Sequence, residues 1–354
     1  MIEMSFEVVD LFCGVGGLTC GMKQAGFNVV AGFDNDDTCE YTYSHNNETS
    51  FHCRNIKEVT CDEINNCYSD NAQKILVGCA PCQPFSTMSY KRFVNESREK
   101  DGKYDLLAEF GRLIKGVKPV IVAMENVPEL KNSEVFQKYV ETLNKEGYYT
   151  DGGQVVYCPD YGIPQNRHRF ILLASKLGEI KLLPPTDDRK KVTVRSFIEN
   201  LPHIAAGEMY YADKLHRSAS LAPINLQRIR ASVPGGTWKD WPEELRCACH
   251  KKESGQTYTS VYGRMSWDKI GPTMTTQFFC YGTGRYGHPE QDRALSLREG
   301  ALLQTFPENY EFFPPDVRDY CMRDVARHIG NAVPVRLGEI IGESIREHLH
   351  KNKI

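Results

Sequence analysis

The sequence has no apolar stretch long enough to cross a bilayer, so no membrane-spanning helix is expected. Its start, Met1-Ile2-Glu3-Met4-Ser5, lacks the basic opening and apolar centre of an export signal, and a cytoplasmic protein is the expectation. No internal repeat is apparent. Charge of either sign is nearly balanced: a net −3 gives no overall pull toward nucleic acid, so an enzyme acting on nucleic acid would need a locally basic cleft. What the chain has in quantity is cysteine. Thirteen of them, an odd number at irregular spacing without an export signal, exclude a disulfide scaffold and point to reduced thiols. Cys247-Ala248-Cys249-His250 has metal-type ligands, but no matching second pair accompanies it and the spacing is tight, so no metal is expected. At 354 residues with ordinary globular composition, the chain fits one large domain or two smaller ones.

The organising stretch is Gly78-Cys79-Ala80-Pro81-Cys82-Gln83-Pro84-Phe85-Ser86. An apolar run, Ile75-Leu76-Val77, reads as a buried strand that stops at glycine and enters a loop whose proline restrains the backbone before Cys82. Strand, turn and restrained cysteine is how an α/β enzyme presents a nucleophile, yet free cysteines are also small buried hydrophobes, and the loop alone leaves both readings open. Upstream, the strand Phe6 to Leu11, the turn Phe12-Cys13-Gly14-Val15-Gly16-Gly17 and a helix over 18–25 form the opening of a nucleotide-binding unit. The dinucleotide fingerprint fails, because Thr19 stands where its last glycine belongs. A second strand over 27–33 ends at Asp34, placed to accept ribose hydroxyls of an adenosine-containing cofactor. Asn55-Ile56 reads as the end of a further strand.

After the cysteine loop, Lys91, Arg92, Arg98, Lys100 and Lys103 form a basic, almost apolar-free segment, read as a lid that touches phosphates. A helix over 106–115 precedes the buried strand 119–124, which delivers Glu125-Asn126-Val127 at its carboxyl end; a carboxylate there suits acid chemistry. Arg167 and Arg169, two apart on an extended segment, are expected on one side, where they would hold a carbonyl or phosphate. Helices are expected over 135–146 and 337–350, and a capping box is visible at Ser296 and Glu299. Between about 190 and 285 the alternation of α and β patterns is lost; Trp238 and Trp241 lie in one turn-rich stretch there, among Arg228, Arg230, Lys239, Lys251 and Lys252.

Together these blocks resemble the cytosine-C5 DNA methyltransferases, and the match spans nearly the whole chain. Its parts fall in the family's order: Asp10 to Gly17, Gly78 to Ser86 with its Pro-Cys-Gln core, Glu125-Asn126-Val127, Gln165-Asn166-Arg167-His168-Arg169, the 293–307 helix block and Gly330-Asn331-Ala332-Val333-Pro334. The irregular insert sits where the family has its target-recognition domain. Cys13, Asp34, Asn35 and Asn55 depart from the residues most usual in the family, as does Asp101-Gly102-Lys103.

The resemblance implies a mostly parallel, doubly wound α/β sheet of the Rossmann-like methyltransferase type with a second, smaller irregular domain. It implies a catalytic domain over 1–185, a target-recognition domain over 186–290, and a segment 291–354 whose last helix returns to the catalytic domain. Cys82 would be the nucleophile that adds to carbon 6 of a flipped-out cytosine. Glu125 would be the partner of its N3 and amino group, with Arg169 on the carbonyl and Arg167 in support. S-adenosylmethionine would lie on Asp10, Phe12, Gly14, Gly16, Gly17, Asp34, Asn55, Ile56, Pro81 and Asn331. Gln83, Ser86, Lys91, Arg92, Arg98 and Thr275 would meet duplex DNA. A monomer is expected, with a companion restriction endonuclease acting on the same site. The nearest rival on the same scaffold is a tRNA cytosine methyltransferase; an NAD-dependent oxidoreductase would leave Cys82, Glu125 and the arginines without purpose.

Overall fold

The computed structural model describes residues 5–81, 105–187, 192–317 and 319–353. The chain divides into two units: the first takes residues up to Tyr157, His168–Pro185 and the chain from Val333 onward; the second takes Cys158–Arg167 and Thr186–Ala332.

In chain order the first unit has strand β1 (Phe6–Leu11), helix α1 (Gly17–Gln24), β2 (Asn28–Asp34), α2 (Glu40–Asn47), β3 (Ser50–Cys53), α3 (Cys61–Asn65), β4 (Gln73–Gly78), α4 (Asp105–Val117), β5 (Ile121–Asn126), α5 (Glu134–Lys145), β6 (Gln154–Tyr157), β8 (His168–Ser175) and α11 (Val335–Lys351). Seven strands form one sheet in the order β3-β2-β1-β4-β5-β8-β6. The pairings among β1 to β5 are parallel, and β8 runs antiparallel to both its neighbours. The mostly parallel α/β sheet expected from the sequence is therefore present.

The apolar runs explain it. Val8, Val9, Ile75, Leu76, Val77, Ile121 and Val122 are fully buried, as strands of a parallel sheet must be when both faces are covered. Helix α4 buries Leu107, Phe110, Leu113, Ile114 and Val117, one stripe at helical spacing, into the cluster that includes Leu11, Leu76 and Met124. Helix α1 lies against α11. Gly21 permits this: a Cβ there would stand 2.3 Å from the Val335 carbonyl oxygen and 2.4 Å from the Glu339 nitrogen.

Two sequence expectations change. The third strand ends at Cys53, so Asn55-Ile56 follow it in a turn in which Lys57 N donates to Asn55 Oδ1 at 3.2 Å. Gly330 and Asn331, expected in a turn, close a helix, because Val325, Ala326 and Ile329 on its buried face carry the helical period to residue 331.

The second unit holds β7 (Gln165–Asn166), α6 (Arg195–Ile198), β9 (Met209–Tyr210), β10 (Asp213–Arg217), α7 (Pro223–Ala231), α8 (Ala248–Lys251), β11 (Gly271–Pro272), α9 (Leu297–Leu303) and α10 (Met322–Asn331). Short elements cannot supply a sheet core, and here a small aromatic cluster replaces it: Ile229, Trp238, Trp241, Val261, Tyr281 and Ala294. The buried Arg264 guanidinium also ties this unit together, donating to the carbonyls of Ile229, Ser232, His288 and Gln291 and to Asp292. Ser296 and Glu299 form the expected capping box on α9, and Arg293 grips Glu299 through two bonds of 2.8 and 2.7 Å with both side chains fully buried.

Candidate active site

Register places the chemistry of the first unit along one edge. Leu11 pairs with both Phe33 and Gly78, and Gly78 pairs with Met124. The next residues, Phe12, Asp34, Cys79 and Glu125, therefore come to the same carboxyl edge, Phe12 and Cys79 just past their strands and Asp34 and Glu125 at the ends of theirs. Because β8 is antiparallel, its first residues reach that edge too: Asn126 pairs with Phe170, next to Arg169. The chain winds outward from β1 through β2 to β3, then restarts from β4 to β5, so the switch of direction falls between β1 and β4, where such sheets bind ligands.

The glycine turn after β1 is held in left-handed backbone. Phe12, Gly14 and Gly16 have φ of 59°, 50° and 85°. A Cβ on Gly14 would meet nothing within 4 Å, so the glycine serves the conformation and leaves open space beside the turn. Asp34 supports it: Oδ2 accepts the Gly14 N–H at 2.8 Å and Oδ1 accepts that of Asp36 at 3.0 Å. Burial raises the Asp34 pKa, against these N–H groups, which lower it. Asp10 sits beneath, fully buried, with Oδ2 accepting from Thr19 Oγ1 at 2.7 Å. Burial pushes its pKa up to about 7. Asp10 thus braces the turn from inside and shows no surface. Ile56 is likewise buried, with its carbonyl accepting from Arg112 at 3.2 Å, while Asn55 and Pro81 are exposed.

Glu125 is the centre of the edge. It is 2% exposed, and its Oε2 accepts from the Cys79 thiol at 2.7 Å. The Arg169 Nε lies 2.9 Å from Oε1 as an ion pair. That contact does not have the angle of a hydrogen bond, and Oε1 has no hydrogen-bond partner among the described residues. A buried carboxylate oxygen in that condition is available to a ligand. Asn126 donates to the Ala80 carbonyl at 3.1 Å, tying β5 to the backbone just before Cys82. Cys82, Gln83, Ser86, Lys91, Arg92 and Arg98 lie outside the described residues.

The two arginines do not share a partner. Arg169 pairs with Glu125 in the first unit, whereas the buried Arg167 donates to the Met274 carbonyl at 3.2 Å in the second. There Gln165, fully buried, organises three blocks that are far apart in sequence: its Nε2 donates to the Leu303 carbonyl and to Gln304, both at 2.7 Å, and its Oε1 accepts from Met274 N at 2.8 Å. Thr275 accepts from Tyr286 at 3.1 Å, and a Cβ on Gly330 would stand 2.5 Å from the Thr275 carbonyl, so α10 passes hard against that loop. Asn331, the last residue of α10, is exposed. Cys79, Asn126 and Gln165 stand in the motifs read from the sequence but were given no role there. Their partners lie 46, 46 and 109 or more residues away, and no periodicity reports such bonds.

The chain matches the family described as C-5 cytosine-specific DNA methylase over residues 6–347. It is 52% identical over 97% of its length to the Type II methylase M.HgiDII of Herpetosiphon aurantiacus, covering 95% of that protein. It is 29% identical over 96% of its length to the Type II methyltransferase M.PspPI of Psychrobacter sp., covering 79% of that one. A prophage-encoded chain from E. coli shares the fold at a TM-score of 0.74 with 21% identity, over 98% of this chain and 100% of that one. The chain therefore belongs to the C-5 cytosine-specific DNA methylases, the enzymes that place a methyl group on carbon 5 of cytosine in DNA.

Proposed function

We propose that this enzyme methylates a flipped-out cytosine within a short duplex sequence through a covalent bond from Cys82 to carbon 6, using S-adenosylmethionine. Carbon 5 of cytosine is a poor nucleophile; a thiolate adding to carbon 6 makes it enamine-like, and the same sulfur leaves after a base has taken the C5 proton. The observation that carries the reading is Glu125, buried at the carboxyl edge with Oε1 uncommitted by hydrogen bonds and Arg169 and Cys79 on either side. Glu125 would take the cytosine N3 and amino group, and Arg169 its carbonyl. Cys79 and Asn126 would position the carboxylate and the Cys82 loop. The open space at Gly14 and the left-handed turn through Phe12 and Gly16 fit an adenosine-containing group, whose ribose Asp34 would hold. Gly17, Asn55, Pro81 and Asn331 would complete that site, with Asp10 and Ile56 supporting it from the core. S-adenosylmethionine supplies the electrophilic methyl.

A base stacked in duplex cannot present carbon 6 to a thiol, so it must leave the stack at a cost of a few kcal/mol. Contacts from Gln83, Ser86, Lys91, Arg92, Arg98 and Thr275 would offset that cost, and the second unit would read the flanking bases. The Type II names of the relatives support a companion endonuclease with the same site. The test is transfer of a labelled methyl group from S-adenosylmethionine to unmethylated genomic DNA and to total tRNA, with Cys82→Ser alongside. Label in DNA as 5-methylcytosine, absent from the variant, is the expected result. Label only in tRNA would move the substrate class, and label that survives Cys82→Ser would end the nucleophile assignment.

A further inference from the structure

Away from the chemistry above, in the second unit, Cys247, Cys249 and His250 bring their two sulfurs and one imidazole nitrogen within 4.8 Å of one another. Helix α8 does this: its single turn starts at Ala248, so Cys247, Cys249 and His250 converge from one short stretch. His250 is 4% exposed, and its Nδ1 is buried with no hydrogen-bond partner among the described residues. The ring cannot easily turn away to find one. It stacks on Trp238 with centroids 4.2 Å apart at 15°, and Tyr262 meets it edge-on at 5.9 Å. Trp238 is itself fixed by a bond from its indole N–H to the Tyr258 carbonyl at 2.7 Å. A buried ring nitrogen left unpaired is destabilising, and a ring clamped in that condition is suited to a group that occupies the nitrogen.

We propose that Cys247, Cys249 and His250 bind a zinc ion, which cross-links the aromatic core of the second unit. Two thiolates and a neutral imidazole are a soft, borderline donor set suited to Zn²⁺. Zinc bonds of about 2.3 Å to sulfur and 2.0–2.1 Å to nitrogen place tetrahedral donors roughly 3.5–3.8 Å apart, a contraction of about an ångström from the present spacing. The Arg228 guanidinium lies over the Tyr262 ring at 5.4 Å and helps to hold that ring against His250. Cys249 is exposed, which turns the fourth coordination position toward solvent, where water completes the shell. Binding releases both thiol protons to solvent.

The test titrates the reduced, metal-stripped full-length protein with Co²⁺ as a spectroscopic stand-in for Zn²⁺. The expected result is saturation at a single stoichiometric site, with thiolate-to-cobalt bands in the near ultraviolet and four-coordinate d–d bands in the visible, both erased by added Zn²⁺. Cys249→Ser should weaken the thiolate bands and Cys247→Ser/Cys249→Ser should abolish them. Cys53→Ser, at an exposed cysteine of the first unit, should leave them unchanged. Circular dichroism of the metal-free variants checks folding, and Cys249→Ser decides alone if the double variant unfolds, since its side chain is outside the core. Absence of the bands from the unaltered protein, or their full persistence in Cys249→Ser, overturns the assignment.

Discussion

Cys79 donates its only proton to Glu125 Oε2, so removing that sulfur leaves a buried carboxylate oxygen one bond short. Cys79→Val, close in volume but without a donor, is expected to lower methyl transfer about tenfold, the value of one hydrogen bond to a charged group. Glu125→Gln, which keeps the shape and removes the charge, is expected to lower it about 10²–10⁴-fold, with folding unchanged in a thermal melt. Asp10 makes a prediction of a different kind. Its pKa rises from 3.8 to about 7 through burial, so the folded chain holds a proton that the unfolded chain has already lost. The stability this contributes is fully present below pH 3.8 and is lost as pH rises through 7. Asp10→Asn should flatten that part of the stability–pH curve between about pH 4 and 7, measured by denaturant unfolding at several pH values. Nothing in the sequence announced this state. The reading there placed Asp10 within an apolar strand and, by the resemblance, among the S-adenosylmethionine contacts; the burial that raises its pKa, against the Thr19 hydroxyl that lowers it, comes from packing remote in sequence.

Among the elements, the contact of α1 with α11 is sensitive to a single atom. A Cβ on Gly21 would overlap the Val335 carbonyl, the Glu339 nitrogen and the Gly338 carbon at 2.3–2.6 Å, all backbone. Backbone cannot step aside as a side-chain tip can, so Gly21→Ala should force the helices apart and destabilise the protein by about 1–3 kcal/mol, seen as a lower midpoint in urea. Both helices were legible in the sequence within a residue or two, because each carries an apolar stripe at helical spacing. So were β1, β4 and β5, whose continuous apolar runs mark buried parallel strands. The polar stretch 44–71 was not resolved into α2, β3 and α3, although Thr60 and Glu63 form a capping box there. Its elements are short and bury little, so the hydrophobic period is too weak to see. Arg167 and Arg169 show a second limit. Alternation places two such residues on one side of a strand, but a break at Arg167 separates β7 from β8, and each guanidinium answers to a different unit.

At the level of the whole molecule, the two units should respond to acid in opposite senses. His288 is buried in the second unit, and its Nδ1 accepts the N–H groups of Glu290 at 3.1 Å and Gln291 at 2.9 Å, so protonating that nitrogen would break both bonds. Burial lowers its pKa from 6.5 to about 4. Burial also opposes ionisation of Glu299, but the Arg293 charge and its paired bonds prevail and take that pKa from 4.5 down to about 2. Both groups contribute stability above their unfolded values that is lost as pH falls, through about 4 for His288 and about 2 for Glu299. Asp10 in the first unit runs the other way. Hydrogen exchange at pH 7.5 and pH 5, corrected for the intrinsic rate, should show protection rising around β1 and falling around residues 286–299. Equal changes in both regions would contradict the assignment.

The position of α11 also bears on the order of events during synthesis. Helix α1 emerges from the ribosome early, but the surface it packs on is encoded about 300 residues later, on the order of tens of seconds at 5–20 residues per second. Until then the glycine-bearing face of α1 beside the glycine turn has no cover, and the chain has yet to pass twice through the second unit. A nascent chain stalled before Val335 should therefore lack a closed first unit. That interval sets the earliest moment at which newly made protein can begin to methylate DNA.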